Sequence, residues 1–155
     1  MDDGLIYEEG SLEQIFGNPQ REKTRIFIHR IRSCRHEIVS PDYDLYTMNA
    51  HTETFCERQM LSSKTRHNVL LVHEEILQLY KPQLQRAQLA VSLSYAEKSG
   101  QLELSLTSIV PMGNPLDSDD PDHALPAQIV RNYAERIEFA SADGSDRLLL
   151  MIRQV

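Results

Sequence analysis

This chain has no tryptophan, few aromatic residues (6%), and only two cysteines in 155 residues. Cys34 and Cys56 stand apart with no C-x-x-C spacing, which fits a reducing compartment better than a disulfide framework. No apolar run approaches the length of a membrane span, and no signal-peptide pattern opens the chain. Basic charge is also short. The formal charge of -7 argues against a protein that tracks nucleic-acid phosphates and against attraction to an anionic membrane surface. There is no G-x-x-x-x-G-K-S/T phosphate loop. What remains is an acidic chain of 41% hydrophobic residues, long enough for one domain with a sizeable core. It is expected to be cytoplasmic.

The first fifth of the chain has its own character. Leu5-Ile6-Tyr7 reads as a short strand between two glycines, and Ser11 caps a small helix over 12–16 with Glu13 in its first turn. Gly17-Asn18-Pro19 is a turn. Residues 21–32 place Thr24, Phe27, Ile28 and Ile31 on one helical face. Met1-Asp2-Asp3-Gly4-Leu5-Ile6, the Asn18-Pro19-Gln20 turn and Arg21-Glu22-Lys23-Thr24-Arg25-Ile26-Phe27-Ile28 resemble the C-terminal tail of the ATP-binding subunits of polar amino-acid ABC importers. That likeness covers residues 1–33. It implies that the catalytic parts of such a subunit lie upstream of Met1, and that Met1 is either an internal residue or the start of a separate short gene.

From Cys34 onward the pattern is that of a second unit, residues 34–155. Glu37-Ile38-Val39 reads as a strand ended by Ser40-Pro41-Asp42, and residues 43–60 as a helix carrying Leu45, Met48, Thr52, Phe55 and Met60. Ser62 or Ser63 caps a second, strongly apolar helix with Val69, Leu70, Val72, Ile76, Leu77 and Tyr80, closed by Pro82. Residues 89–95 and 101–109 alternate with the period of half-buried strands around Glu97-Lys98-Ser99-Gly100. An acidic loop spans 111–123, a helix spans 125–136, and a last hairpin pairs 137–140 with 148–152 around Ala142-Asp143-Gly144-Ser145. Leu93, Leu104, Leu106, Val72, Ile76, Ile129 and Val130 are the expected core.

The order β-α-α-β-β-α-β-β resembles the Bergerat ATP-binding fold of histidine kinases and, most closely, the small anti-sigma-factor serine kinases. Four fragments carry the likeness. His73 to Gln78 sits at the family's E-x-x-x-N, and Leu106 to Pro115 at D-x-G-x-x-F-N-P. Leu125 to Phe139 lies on the L-G-x-x-L-V-R-x-L-A-D-x-V-E-Y stretch, and Asp143-Gly144 with Arg147-Leu148 on the closing hairpin. The resemblance implies an α+β fold, a two-layer α/β sandwich with a mostly antiparallel sheet and its helices on one face.

It also implies a nucleotide site, and here the residues depart from the pattern. Gln78 stands at the magnesium-binding Asn and Ser108 at the Asp that accepts from the adenine amino group. Val110 and Pro126 stand where glycines let backbone approach the ligand. Glu74 alone matches, at the place of the general base. No catalytic residue and no cofactor or metal is therefore expected, with Val110 and Pro126 narrowing the cleft. ATP and magnesium enter only if the chain is an ATP-dependent kinase with an atypical site.

Other constellations are weaker. His51-Thr52-Glu53 has the H-x-E spacing of zinc deaminases but no P-C-x-x-C, so it reads as a surface helix. His67 and His73 lie six apart rather than four. Asp117, Asp119, Asp120 and Asp122 lack the glycine and closing glutamate of a calcium loop and are interrupted by Pro121. Cys56, beside Phe55, reads as a small core residue.

The sequence thus points to a non-catalytic regulatory or dimerisation module at the C-terminus of an amino-acid ABC transporter ATP-binding protein. Its expected partners are a second copy, other transporter subunits or a regulatory protein, with no nucleic acid and at most a peripheral place at the inner membrane. The alternative is an anti-sigma-like, ATP-dependent serine kinase. The transported amino acid is not encoded here, because substrate choice in such importers belongs to other subunits.

Overall fold

The computed structural model describes residues 30–155. Strand β1 (Ile31–Ile38) is followed by helices α1 (Leu45–Arg58) and α2 (Ser63–Tyr80) and the hairpin β2 (Leu89–Ala96) and β3 (Gln101–Ser108). Helix α3 (Ala124–Tyr133) and the hairpin β4 (Ala134–Ala142) and β5 (Ser145–Ile152) complete it. Every pairing is antiparallel, and the five strands lie in the order β1-β2-β3-β5-β4.

Local chemistry sets the elements. Asp44 caps α1 through Thr47 N at 3.1 Å, and Ser62 caps α2 through Thr65 N at 3.1 Å. Each satisfies an amide that the first helical turn leaves without a partner. The β4–β5 turn is Asp143-Gly144, with φ of 53° and 79°, and Ala142 pairs with Ser145. Two consecutive positive φ angles match the right-handed twist of a tight hairpin, and Asp-Gly reaches them at little cost.

Alternation then builds two faces. Leu89, Val91 and Leu93 of β2, Leu102, Leu104 and Leu106 of β3, and Leu148, Leu150 and Ile152 of β5 form one core cluster with Met48, Phe55, Val69, Val72, Ile76 and Val130 of the helices. All three helices therefore cover the same face, as a two-layer sandwich requires. Of the expected core, Leu93, Leu104, Leu106, Val72, Ile76 and Val130 are buried, whereas Ile129 is only half-buried. Val130, its neighbour, takes the place facing the sheet.

Three boundaries differ from the sequence reading. Ile31 and Arg32, expected to end a helix over 21–32, lie in β1, so the strand begins well before Glu37 and inside the segment assigned to the transporter-like tail. Eight consecutive pairs with β2 hold it there. As an edge strand it is rich in arginine and polar residues, which blunt an open edge and hide the strand signal. The rest of that expected helix, and the strand and helix expected over 5–16, fall outside the described residues. Met60, expected on the buried face of α1, lies beyond its end and is 90% exposed. Finally, α3 stops at Tyr133 rather than Arg136, because Ala134 already pairs with Ile152 and a bulge at Glu135 carries the strand forward.

Candidate functional site

Helix α2 brings Glu74, Glu75 and Gln78 to the side of the domain where the 111–124 loop returns. Glu75, Gln78, Lys81, Asp120, His123 and Pro126 line an open cleft of about 520 Å³ there. Burial, then the neighbouring Glu74 charge, raises the carboxyl pKa of Glu75. The loop side is tied down locally. Ser118 Oγ and His123 Nδ1 lie 2.7 Å apart, and Asp120 accepts from the Asp122 amide at 2.9 Å.

The sequence-assigned nucleotide positions divide between two places. Gln78 and Pro126 line this cleft, with the Gln78 side exposed to solvent. Ser108 and Val110 are not among its lining residues. Ser108 is buried, and its hydroxyl donates to Val110 O at 2.5 Å and accepts from Val110 N at 3.1 Å. That local turn leaves the Val110 side chain 38% exposed at the strand end, so the expected narrowing of the cleft by Val110 does not occur. Glu74 is half-buried on α2, close enough to Tyr43 to help raise the phenol pKa after burial.

The post-β3 segment packs back into the core. Met112 and Leu116 are buried and belong to the core cluster together with Tyr80 and Leu84. Asp146, paired with Ser108 across β3 and β5, holds the segment down. Its carboxylate is 4% exposed and accepts from Met112 N and Gly113 N, each at 2.7 Å, and from Ser141 Oγ at 2.5 Å. Burial and this carboxylate both push the Tyr80 phenol pKa upward. Sequence reading missed Asp146. Its signal was an acid two residues before Leu148 on the inward-facing register of a leucine-rich strand.

A second cluster also went unseen. His36 of β1 stacks on His51 of α1, with centroids 5.8 Å apart and planes at 4°, and lies 6.3 Å from His73 of α2. His73 is 1% exposed, and burial, reinforced by His36, lowers its pKa to about 4. The rings lie face to face rather than converging on a point, and among the described residues no three ligands form a group that would hold a metal. His67 is exposed on the other side of α2 and does not join His73. The acidic loop is solvated as expected, with Asp117 beside Arg131 at 3.9 Å. Cys56 is fully buried, and burial raises its thiol pKa to about 11.

No family model matches the sequence, and no curated protein matches it by sequence. Solved structures match by fold. A chain of the SiaB-SiaC complex from Pseudomonas aeruginosa shares 13% identity over 92% of this chain and 100% of its own length, with a TM-score of 0.59. The structure of the RsbU and RsbW domains of Rv1364c from Mycobacterium tuberculosis shares 8% identity over 79% of this chain, with a TM-score of 0.55. The match spans 32% of that chain's own length. The chain therefore shares the fold of these structures, an α+β sandwich with a five-stranded antiparallel sheet and its helices on one face. Neither structure is named as a transporter component, and the residues bearing most of the transporter likeness lie outside those described.

Proposed function

We propose that this chain is an anti-sigma-factor-like regulator that works by binding a partner protein, on an ATPase-derived scaffold whose nucleotide site no longer takes nucleotide. One observation carries the reading. The segment after Ser108 is packed into the core through Met112 and Leu116, and Asp146 pins it by two backbone amides. An adenine ring entering there would displace core side chains. At the phosphate end, Gln78 faces solvent in place of the magnesium-binding Asn. The likeness to a chain solved in the SiaB-SiaC complex supports partner binding as the mode of action. Service as a regulatory module of an amino-acid importer has no support beyond residues 1–33.

A second reading, an ATP-dependent kinase with an atypical site, is favoured by the open cleft and by Glu74 at the family's base position. One titration separates the two. Under the first reading millimolar Mg-ATP leaves the melting temperature unchanged and no phosphoryl group is transferred from labelled ATP. A saturable rise of several degrees would show binding through ligand linkage and overturn the first reading, and phosphoryl transfer from labelled ATP would establish the second.

A further inference from the structure

The open cleft beside the end of α2 combines apolar surface with unanswered negative charge. Pro41, Pro82 and Pro126 contribute apolar lining. Val39, two positions before Pro41, and Leu125, immediately before Pro126, are exposed. Large apolar side chains left in water beside a concave site mark a surface that something else covers. Glu75, Asp120 and Asp122 add three carboxylates to the lining, against the single ammonium of Lys81. That ammonium is already engaged, with Nζ 5.8 Å from the centre of the Tyr43 ring. Asp120 has a neighbour of its own, 3.9 Å from His123 Nε2. Glu75 and Asp122 form no ion pair among the described residues. Glu75 is half-buried, and burial followed by the Glu74 charge holds its carboxyl above the usual range. A carboxylate partly stripped of water and lacking a cation gains more from an incoming one than an open surface acid does.

We infer that this cleft seats a basic segment of the partner protein, in which arginine or lysine alternates with apolar residues. The inference rests on the partner-binding function proposed above and says where the partner docks. The basic side chains pair with Glu75 and Asp122, and the apolar ones pack on the prolines. Charge selects this occupant. A triphosphate has the same sign as the lining and is repelled. A divalent cation needs converging ligands, and among the described residues no three form such a group. A second copy of this chain carries a formal charge of -7 and is opposed at long range.

Fluorescence anisotropy of the full chain with three labelled peptides tests this. One alternates leucine with arginine, the second has citrulline for every arginine, and the third has glutamate. Citrulline keeps the shape of arginine and loses its charge. The arginine peptide should saturate the chain below millimolar concentration and weaken as salt rises. The citrulline peptide should bind about tenfold more weakly, and the glutamate peptide more weakly still. Glu75→Gln with Asp122→Asn should cut the affinity for the arginine peptide about tenfold. Glu57→Gln with Glu97→Gln removes as much charge at the far ends of α1 and β2 and should leave that affinity unchanged. Equal binding of the arginine and citrulline peptides overturns the inference. So does an equal effect of the two double variants, or no saturation by the arginine peptide at millimolar concentration. Should the cleft variant misfold, the arginine and citrulline peptides on the unaltered chain decide. Mg-ATP titrated separately keeps the two claims apart. Its binding overturns the proposed function and the inference with it, whereas a chain that binds neither Mg-ATP nor the arginine peptide overturns the inference alone.

Discussion

The Asp146 carboxylate and the Gly113 amide, 33 positions apart, meet at 2.7 Å, and the same oxygen accepts from Met112 at 2.7 Å. Two adjacent backbone donors on one buried oxygen make Asp146 the latch of the post-β3 segment. Asp146→Ala removes that acceptor and leaves the buried Met112 amide unsatisfied, at a cost of about 3 kcal/mol. Asp146→Asn keeps one acceptor oxygen and should cost roughly half. Urea midpoints of the three proteins measure this, and equal midpoints would show that the latch contributes nothing.

Leu116 distinguishes a post-β3 segment that is part of the core from one that would act as a ligand-dependent lid. As a core residue at 5% exposure, its replacement by Ala should destabilise the ligand-free protein by about 3 kcal/mol, as buried Leu→Ala changes do. A lid residue without its ligand would cost close to nothing. Thermal melts of the two proteins in nucleotide-free buffer distinguish these outcomes.

Acid should weaken the fold through His73. Its folded pKa of about 4 lies below the ordinary value of 6.5, so the folded state binds its proton less readily than the unfolded state. The sign follows from proton linkage. Stability is whole above pH 6.5 and is lost as the pH falls from 6.5 towards 4, by up to roughly 3 kcal/mol. His36, lowered by burial and by His51, acts in the same direction. Denaturant midpoints at pH 7.5 and pH 4.5 should fall less in His73→Phe than in the parent. The same fall in both would assign the acid sensitivity to other groups.

The two thiols should react at different rates. Cys34 is half-buried on an edge strand, while Cys56 is fully buried on the inner face of α1 with its pKa raised to about 11. Thiolate is the reactive form. At pH 8 a disulfide reagent should therefore modify Cys34 first and Cys56 only on unfolding. Cys34→Ser should remove the fast phase, and a fast phase that survived would contradict the burial of Cys56.

Much of this protein was legible where a pattern is local. The Asp143-Gly144 turn, the Ser62 cap and the alternation of Leu102, Leu104 and Leu106 each depend on residues within one turn or one strand. The sequence alone therefore determined the element order and most of the core. The placing of Gln78 and Ser108 at magnesium and adenine positions rested on the resemblance alone and remains an expectation. Tertiary structure decided the rest. Ile31 to Ile38 became a strand because β2 offers eight partners, an influence stronger than the helical spacing of its own residues. Gln78 lines the open cleft, whereas the Ser108 hydroxyl is buried and bonds within its own turn to Val110. Asp146 and the His36, His51 and His73 stack unite residues from distant strands and helices. Such contacts have no period in the chain, since their geometry exists only once the sheet and its helices have packed.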